Sequence, residues 1–328
     1  MAVLIDAFSR TIDYLRISVT DRCNLRCLYC MPSHGVKMTP RQELLNYEEI
    51  VRLAGVAAKM GVKKVRITGG EPLVRSGIAS LVASLAGIPG LEDISLTTNG
   101  TLLEALAGVL REAGLRRVNV SLDTLDPKKY AHITRGDRLL QVWKGIHRAL
   151  EENLMPLKIN MVVIRGFNDE ELENFARLTL TLPVNLRFIE FMPVGAPDFW
   201  RPERVVKIEE IMGRIGSLGN LEPTQIRGNG PARYFQVPGA LGTLGFIGAY
   251  SDHFCAACNR MRITCDGRLR PCLFSELEID LREPLRRGCT DEEIEALFLL
   301  AKQEKPLSHS LHEGPRKNWR RPMSEIGG

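Results

Sequence analysis

The chain has 328 residues, of which 44% are hydrophobic and 25% are charged, the ordinary balance of a globular protein with a substantial core. This length allows two domains, or one barrel that uses most of the chain. The formal net charge of +5 is too small for an electrostatic DNA-binding protein, so we expect no nucleic-acid partner. The sequence contains neither a run of about 18 apolar residues nor a basic N-terminal leader. We therefore expect a cytoplasmic protein with no membrane partner.

Short apolar runs alternate with helical patterns as far as residue 193. This alternation predicts a parallel sheet of the α/β class. The pattern alone does not separate an open sheet from a partial barrel, and a complete eight-unit barrel would need more units. Strands are predicted near residues 12–19, 62–67, 93–97, 117–122, 157–164 and 185–191, and helices near 46–58, 76–87, 102–113, 139–152 and 169–180.

The chain after about residue 195 has a different character. Glycine and proline become more frequent over residues 213–245. We predict two domains, 1–198 and 199–328, of which the second is smaller, irregular and of α+β type. The elements predicted in it are a helix at 207–215, strands at 234–237 and 244–248, and a helix at 291–303.

Seven of the eight cysteines fall into two groups. Without a secretory signal, such grouping indicates metal or redox chemistry in a reducing compartment rather than a disulfide framework. The first group, Cys23-x3-Cys27-x2-Cys30, lies in the loop after the first predicted strand. Three thiolates leave one iron of a [4Fe–4S] cluster open, whereas structural zinc takes four ligands. Three buried structural cysteines without any metal are the remaining alternative.

The second group is Cys255-x2-Cys258-x13-Cys272, with a fourth cysteine between its last two members. On spacing alone, it could be a four-cysteine structural zinc site. Arg260 and Arg262 lie beside it, and period-two alternation places both on one face of an extended chain. Adjacent guanidinium groups suit phosphate or carboxylate capture, although a solvated strand face would have the same pattern.

Two motifs together resemble the radical S-adenosylmethionine superfamily. One is the first cysteine loop, with a tyrosine before its last cysteine; the other is Thr68-Gly-Gly-Glu-Pro72, which is similar to the superfamily's GGEP segment. Glycines there let the backbone approach a ligand, and the carboxylate can pair with an ammonium. The resemblance implies an incomplete (βα)6 barrel and a [4Fe–4S] cluster on the first three cysteines. The positions that it implies for S-adenosylmethionine are Tyr29, Gly70, Glu71, Ser121 and Met192.

Further segments make the resemblance more specific. The second cysteine group with Cys258-Asn-Arg-Met-Arg262, the start Leu15–Cys23 and the terminal Gly327-Gly328 are similar to the family that cyclises GTP in molybdenum cofactor biosynthesis. This implies a second [4Fe–4S] cluster on Cys255, Cys258 and Cys272, with its open iron facing GTP. The matching GTP positions are Arg16, Arg66, Thr97, Lys158, Arg260, Met261 and Arg262. The candidate catalytic residues among them are Arg16, Arg260 and Arg262.

The resemblance also implies a reaction and its partners. A radical derived from S-adenosylmethionine would take the C3′ hydrogen of GTP, and ring closure would give 3′,8-cyclo-7,8-dihydroguanosine 5′-triphosphate. An electron donor would supply the first cluster, and a cyclic pyranopterin monophosphate synthase would receive the product. The chain would be a monomer or a homodimer. The sequence has no Walker P-loop, so side chains must meet the triphosphate charge.

Two cysteines and two rival functions complete the sequence-based expectations. Cys265 is expected to be a free thiol, and Cys289 a small apolar filler. The rival enzyme is a radical peptide-modifying enzyme with an auxiliary cluster, whose substrate does not call for Arg260 and Arg262. The rival binding module is a zinc-stabilised RNA-binding protein, which an aromatic content of 6% does not favour. We also expect the terminal glycines to reach the site.

Overall fold

A computed structural model describes residues 3–32, 34–194, 199–226, 230–248, 250–251, 254–309 and 321–327. Within these ranges the chain forms twelve strands and ten α-helices. The strands are β1 (Tyr14–Ser18), β2 (Lys64–Thr68), β3 (Asp93–Thr98), β4 (Arg117–Ser121), β5 (Lys158–Val163), β6 (Asn185–Glu190), β7 (Glu222–Thr224), β8 (Arg233–Gln236), β9 (Thr243–Ile247), β10 (Arg260–Ile263), β11 (Arg268–Arg270) and β12 (Ile279–Asp280). The helices are α1 (Tyr47–Lys59), α2 (Ile78–Ala86), α3 (Leu103–Glu112), α4 (Pro127–Thr134), α5 (Leu139–Glu151), α6 (Leu172–Thr181), α7 (Ile208–Ile215), α8 (Arg282–Arg286), α9 (Asp291–Gln303) and α10 (Met323–Ile326).

The described strands form one sheet in the order β12-β11-β10-β1-β2-β3-β4-β5-β6-β9-β8-β7. Its central strands, from β10 to β9 in this order, are all parallel. The two strands at each edge pair antiparallel. The predicted α/β class with a parallel sheet is therefore confirmed. The C-terminal part of the chain adds a parallel strand on each side of the six predicted ones.

The start of α1 illustrates how local sequence specifies these elements. The side chain of Asn46 accepts a hydrogen bond from the backbone N–H of Glu49 over 2.7 Å. The carboxylate of Glu49 accepts one in return from the N–H of Asn46 over 2.8 Å. This reciprocal cap satisfies two backbone donors at the first turn. Ile50, Leu53 and Ala57 recur at helical spacing and are fully buried against the sheet.

Several short elements lie outside the predicted ones. The sequence predicts an extended chain at Arg260 and Arg262, but not that it joins the parallel sheet beside β1. The helix α4 and the edge strands β11 and β12 were also missed. The predicted division at residues 198 and 199 stays a prediction, and the sheet is continuous across it. The described helices include no segment with the length and hydrophobicity needed to cross a bilayer.

Candidate functional site

A cavity of about 300 Å³ lies within the curve of the parallel strands. Every one of these strands contributes at least one lining residue, so the sheet wraps around the cavity as a partial barrel. Both predicted cysteine groups contribute to the same wall. The lining residues on the parallel strands include Arg16, Arg66, Thr97, Ser121, Asn160, Ile189, Ile247 and Arg262. The lining cysteines are Cys23, Cys27, Cys30, Cys255, Cys258 and Cys272.

The first cysteine group lies in a loop that α4 holds in place. The N–H groups of Arg26 and Leu28 donate to carbonyl oxygens at the end of α4, each over 2.9 Å. Burial, together with the neighbouring Cys23 and Asp123, raises the pKa of the Cys30 thiol to about 12. Buried thiols of this kind ionise when a bound metal supplies positive charge. The donor set therefore fits an iron–sulfur cluster, whose irons would meet that requirement.

The second cysteine group has a different electrostatic environment. Burial acts to raise the pKa of the Cys258 thiol, but Arg260 and Lys305 outweigh it and hold that pKa at about 6. The ammonium Nζ of Lys305 lies 3.5 Å from the Cys258 sulfur. The lowered pKa favours the thiolate form of Cys258, the form that ligates metals.

The geometry does not favour a four-cysteine zinc site here. A zinc ion requires its ligands to converge on one point. The described residues contain no group of three or more Cys, His, Asp or Glu side chains arranged around a single ion. Cys265, the fourth cysteine such a site would need, lies outside the cavity wall and is fully buried. Its carbonyl accepts a hydrogen bond from the N–H of Leu45 over 2.9 Å.

Gly70 brings the GGEP turn against the start of the first cysteine loop. Its N–H donates to the carbonyl of Thr20 over 2.7 Å. A Cβ at this position would lie 2.3 Å from the carbonyl oxygen of Arg22 and 2.7 Å from that of Asp21. Only glycine permits this approach, so the GGEP turn and the cysteine loop meet through backbone contacts.

Glu71 is held by protein donors behind the cavity wall, and its expected contact with S-adenosylmethionine stays a prediction. Its carboxylate accepts hydrogen bonds from Thr98 Oγ1 over 2.7 Å, from the N–H of Asn99 over 2.6 Å and from the N–H of Leu73 over 3.0 Å. The residue is 1% exposed and lies behind the cavity wall. These three donors use both carboxylate oxygens, so Glu71 positions the GGEP turn against β3.

Tyr29, Ser121 and Met192 line the cavity. Asp123, which the sequence analysis missed, lines it as well. The hydroxyl of Tyr29 donates to Asp123 Oδ2 over 2.6 Å, and the N–H of Val162 donates to Oδ1 over 2.9 Å. Burial raises the pKa of Asp123 to about 6. The available signal was position, because Asp123 follows β4 at the carboxyl edge, where parallel sheets bind ligands.

Another part of the cavity wall is rich in arginine. Arg16, Arg66, Arg260 and Arg262 all contribute, together with Arg187, which the sequence analysis missed. Burial and the other arginines lower the pKa of Arg262 to about 9. Guanidinium groups crowded in a buried site repel one another, and a bound anion relieves that repulsion. The available signal for Arg187 was a cation within an otherwise largely apolar strand, which is unfavourable without an anionic partner.

Two of the expected GTP residues do not line the cavity. Met261 is 1% exposed and belongs to the hydrophobic core, because alternation along β10 turns it away from Arg260 and Arg262. Lys158 is also 1% exposed, and its Nζ lies 5.8 Å from the ring centroid of Tyr234. Burial, followed by nearby arginines, lowers the pKa of Lys158 to about 6.

The C-terminal segment reaches the same cavity. Met323 and Ser324 of this segment line it. Arg262 Nη1 donates a hydrogen bond to the carbonyl of Gly327 over 2.5 Å. Gly328, the second of the two glycines expected to reach the site, lies outside the described residues.

Comparisons with known proteins identify two families along the chain. Residues 17–179 match the radical SAM superfamily, and residues 184–311 match the family described as Molybdenum Cofactor Synthesis C. Among solved structures, the crystal structure of Streptococcus suis SuiB is similar at a TM-score of 0.62 and 18% identity. That alignment covers 84% of this chain and 65% of the SuiB chain, and it supports the barrel fold.

Curated relatives are much more similar and match along their full length. The GTP 3′,8-cyclase of Pelotomaculum thermopropionicum is 53% identical, with 98% of this chain and 99% of the relative covered. The enzyme of the same name from Heliobacterium modesticaldum is 50% identical over 99% of this chain and all of the relative. That from Moorella thermoacetica is 51% identical over 98% and 99%. This chain therefore belongs to the GTP 3′,8-cyclase family within the radical S-adenosylmethionine superfamily.

Proposed function

We propose that this chain binds S-adenosylmethionine and GTP in one cavity and converts GTP to 3′,8-cyclo-7,8-dihydroguanosine 5′-triphosphate, the first step of molybdenum cofactor biosynthesis. The observation that carries the proposal is the composition of the cavity wall. Two three-cysteine groups and a buried set of arginines face one cavity. Iron–sulfur ligands suit radical chemistry, and buried arginines suit a polyanionic substrate.

The cofactor end of the cavity is assigned to the first cysteine group. Cys23, Cys27 and Cys30 would hold a [4Fe–4S] cluster, and Tyr29 and Gly70 would contact S-adenosylmethionine. When bound, these groups supply an electron and a carbon-centred radical able to take a hydrogen atom from a ribose. The chain's own contribution is a rigid frame, in which the close approach of Gly70 to the cysteine loop fixes the spacing of the two motifs.

The substrate end of the cavity is assigned to the arginines. Arg16, Arg66, Arg260 and Arg262 would neutralise the triphosphate and orient the nucleotide, because planar guanidinium groups bind phosphate in a bidentate manner. Thr97 supports this assignment: its Oγ1 is buried and, among the described residues, has no hydrogen-bond partner. A ligand atom would satisfy that hydroxyl. Holding the ribose close to the radical source is the main catalytic task.

The second cysteine group is assigned to a second [4Fe–4S] cluster that meets the base of GTP. Cys255, Cys258 and Cys272 line the cavity next to Arg260, and a cluster on three thiolates keeps one iron free for a ligand. The alternative of a peptide substrate has less support, since an uncharged peptide would leave several buried arginines without anionic partners.

The proposal includes partners outside the chain. An electron donor is needed for the first cluster, and a cyclic pyranopterin monophosphate synthase would take the product. We propose a reducing, cytoplasmic setting, because all eight cysteines are free thiols, as is usual where glutathione and thioredoxin operate. Monomer and homodimer remain the two oligomeric states proposed.

One anaerobic assay tests the reaction and the substrate together. The reconstituted, dithionite-reduced protein is given S-adenosylmethionine and GTP deuterated at C3′ of the ribose. We expect 5′-deoxyadenosine that carries deuterium, and no deuterium when the label is at C2′. Unlabelled 5′-deoxyadenosine that is indifferent to GTP would refute the substrate and favour a peptide. An iron-loaded protein that releases none would refute the reaction class, and a Cys27→Ser variant provides the matched control.

A further inference from the structure

Lys305 is a buried cation directly behind the second cysteine group. It follows α9 and is 3% exposed. Its Nζ lies 3.5 Å from the sulfur of Cys258, 2.8 Å from the carbonyl oxygen of Arg260 and 2.8 Å from that of Pro271. An ammonium has three N–H donors and no acceptor. The site therefore offers one acceptor for each donor of the charged side chain.

These three contacts join the parts of the chain that carry the second cysteine group. Cys258 is itself a proposed ligand, Arg260 begins β10, and Pro271 immediately precedes the proposed ligand Cys272. One ammonium thus fixes both segments relative to each other. Because the ligands are already fixed before the metal binds, less conformational entropy is lost on binding.

A second buried cation holds the same region from the other side. Arg10 donates to the carbonyl of Cys255 over 2.8 Å and to the carbonyls of Pro306 and Leu307 over 2.7 and 3.0 Å. Asp6 pairs with the Nε of Arg10 over 2.6 Å. The backbone on the C-terminal side of Lys305 is consequently anchored to the segment that carries Cys255.

The first cysteine group has a different set of sulfur contacts. Cys23 accepts from the backbone N–H of Leu25 over 3.4 Å, and the amide of Asn99 lies 3.9 Å away. Both donors are neutral. Within the described residues, an ammonium bonded to a proposed ligand sulfur occurs at Cys258 alone. The two cysteine groups therefore differ in the charge placed against sulfur.

We propose that Lys305 is a positioning residue that sets the reduction potential of the second cluster through its charged hydrogen bond to Cys258. The inference rests on the second cluster of the proposed function. Positive charge and hydrogen bonds to ligand sulfur stabilise the reduced, more negative form of a cluster. Lys305 therefore raises the potential of the second cluster and makes it easier to reduce. Arg260 lines the cavity and its side chain also hydrogen-bonds Cys258, whereas Lys305 acts from behind the cavity wall.

The test uses the full chain with Cys23→Ser, Cys27→Ser and Cys30→Ser. In this parent only the second cluster can form and give an EPR signal. In this parent, Lys305→Met removes the positive charge and the N–H donors of the side chain. Lys305→Gln keeps N–H donors without the charge, and Lys305→Arg keeps the positive charge. Lys302→Met, in the last turn of α9, is the matched control. Iron content, circular dichroism and the midpoint potential from redox-poised EPR spectra are measured for each.

We expect the midpoint potential to fall in the order parent, Lys305→Gln, Lys305→Met, with Lys305→Arg and Lys302→Met close to the parent. If the iron-loaded Lys305→Met and Lys305→Gln variants keep the midpoint potential of the parent, the proposal is overturned. If Lys305→Met does not fold, the comparison of Lys305→Gln with the parent decides in the same way. Loss of iron from all three Lys305 variants would also overturn it, leaving a scaffold role only. A parent that binds no iron would instead refute the second cluster itself.

Discussion

Arg262 and Gly327 are joined by a hydrogen bond in which Arg262 Nη1 donates to the Gly327 carbonyl over 2.5 Å, across 65 residues of sequence. The C-terminal segment is held in place by Arg321, which pairs with Asp266 over 2.9 Å and with Glu278 over 2.8 Å. The end of the chain thus fixes the orientation of a guanidinium group in the cavity. This contact links the C-terminal segment directly to the proposed substrate site.

The first prediction concerns Gly327. This residue has φ +85°, and a Cβ would lie 2.2 Å from Thr68 Oγ1. Gly327→Ala should therefore move the segment away from Arg262 and reduce kcat/KM for GTP about tenfold or more, the size of one lost charged hydrogen bond. Gly239→Ala is the control, because Gly239 has φ +79° but open space around it. Equal kcat/KM in the two variants would contradict the role of this contact.

The second prediction concerns the approach of Gly70 to the cysteine loop. Gly70→Ala would force the GGEP turn and the loop apart, since its Cβ meets the Arg22 carbonyl at 2.3 Å. We expect loss of S-adenosylmethionine binding and reduced iron in the first cluster. Gly55→Ala is the contrasting variant, because Gly55 lies within α1 with nothing near its Cβ position. It should stabilise the protein by about 0.5–1 kcal/mol, measured by thermal unfolding.

Much of the fold could be predicted from periodicity, because the first six strands and the longer helices each carry their own apolar pattern. The helix α4 shows a signal that was overlooked: Asp126 precedes Pro127, and its carboxylate caps the N–H of Lys128 over 2.7 Å. Proline at the first helical position after an aspartate cap is typical of a helix start. The sheet position of β10 could not be predicted in this way, because its pairing with β1 depends on contacts distant in sequence.

The motifs of the site can be recognised in the sequence, whereas the orientations of its side chains cannot all be read from it. Alternation along β10 turns the Met261 side chain away from Arg260, and its expected contact with GTP stays a prediction. Asp123 is different, since its partner Tyr29 is 94 residues away in sequence. Nothing local to Asp123 indicates that pairing. Nothing local to Lys158 indicates that it is buried without lining the cavity.

The third prediction separates substrate-binding arginines from structural ones in the same segment. Arg260→Ala and Arg262→Ala should raise the KM for GTP tenfold or more, about the size of a lost charge-assisted contact, with iron content unchanged. Arg268 pairs with Asp280 over 2.6 Å and is partly exposed. Arg268→Ala should leave KM unchanged and cost no more than about 1 kcal/mol of stability. Lost iron in the Arg260 or Arg262 variant would count against substrate binding.

The last prediction concerns Lys158, whose buried position is unfavourable for a charge. Burial and Arg187 lower its pKa from 10.5 to about 6 in the folded chain, so the unfolded chain binds more protons between these two values. The resulting penalty is complete below pH 6, decreases as pH rises and disappears above pH 10.5. Since a pKa change of one corresponds to about 1.4 kcal/mol, Lys158→Met should gain at least that much stability near pH 7.

Chemical unfolding of the apo protein at pH 7 and pH 10 measures this gain, which should be larger at pH 7. Lys144, which is 54% exposed on α5, provides a control whose replacement by methionine should have little effect at either pH. If Lys158→Met gains the same free energy of unfolding at both pH values, the lowered pKa of Lys158 is contradicted. The same variant should bind GTP more weakly in equilibrium dialysis, because a lysine kept inside a barrel against its own desolvation penalty indicates an anionic partner.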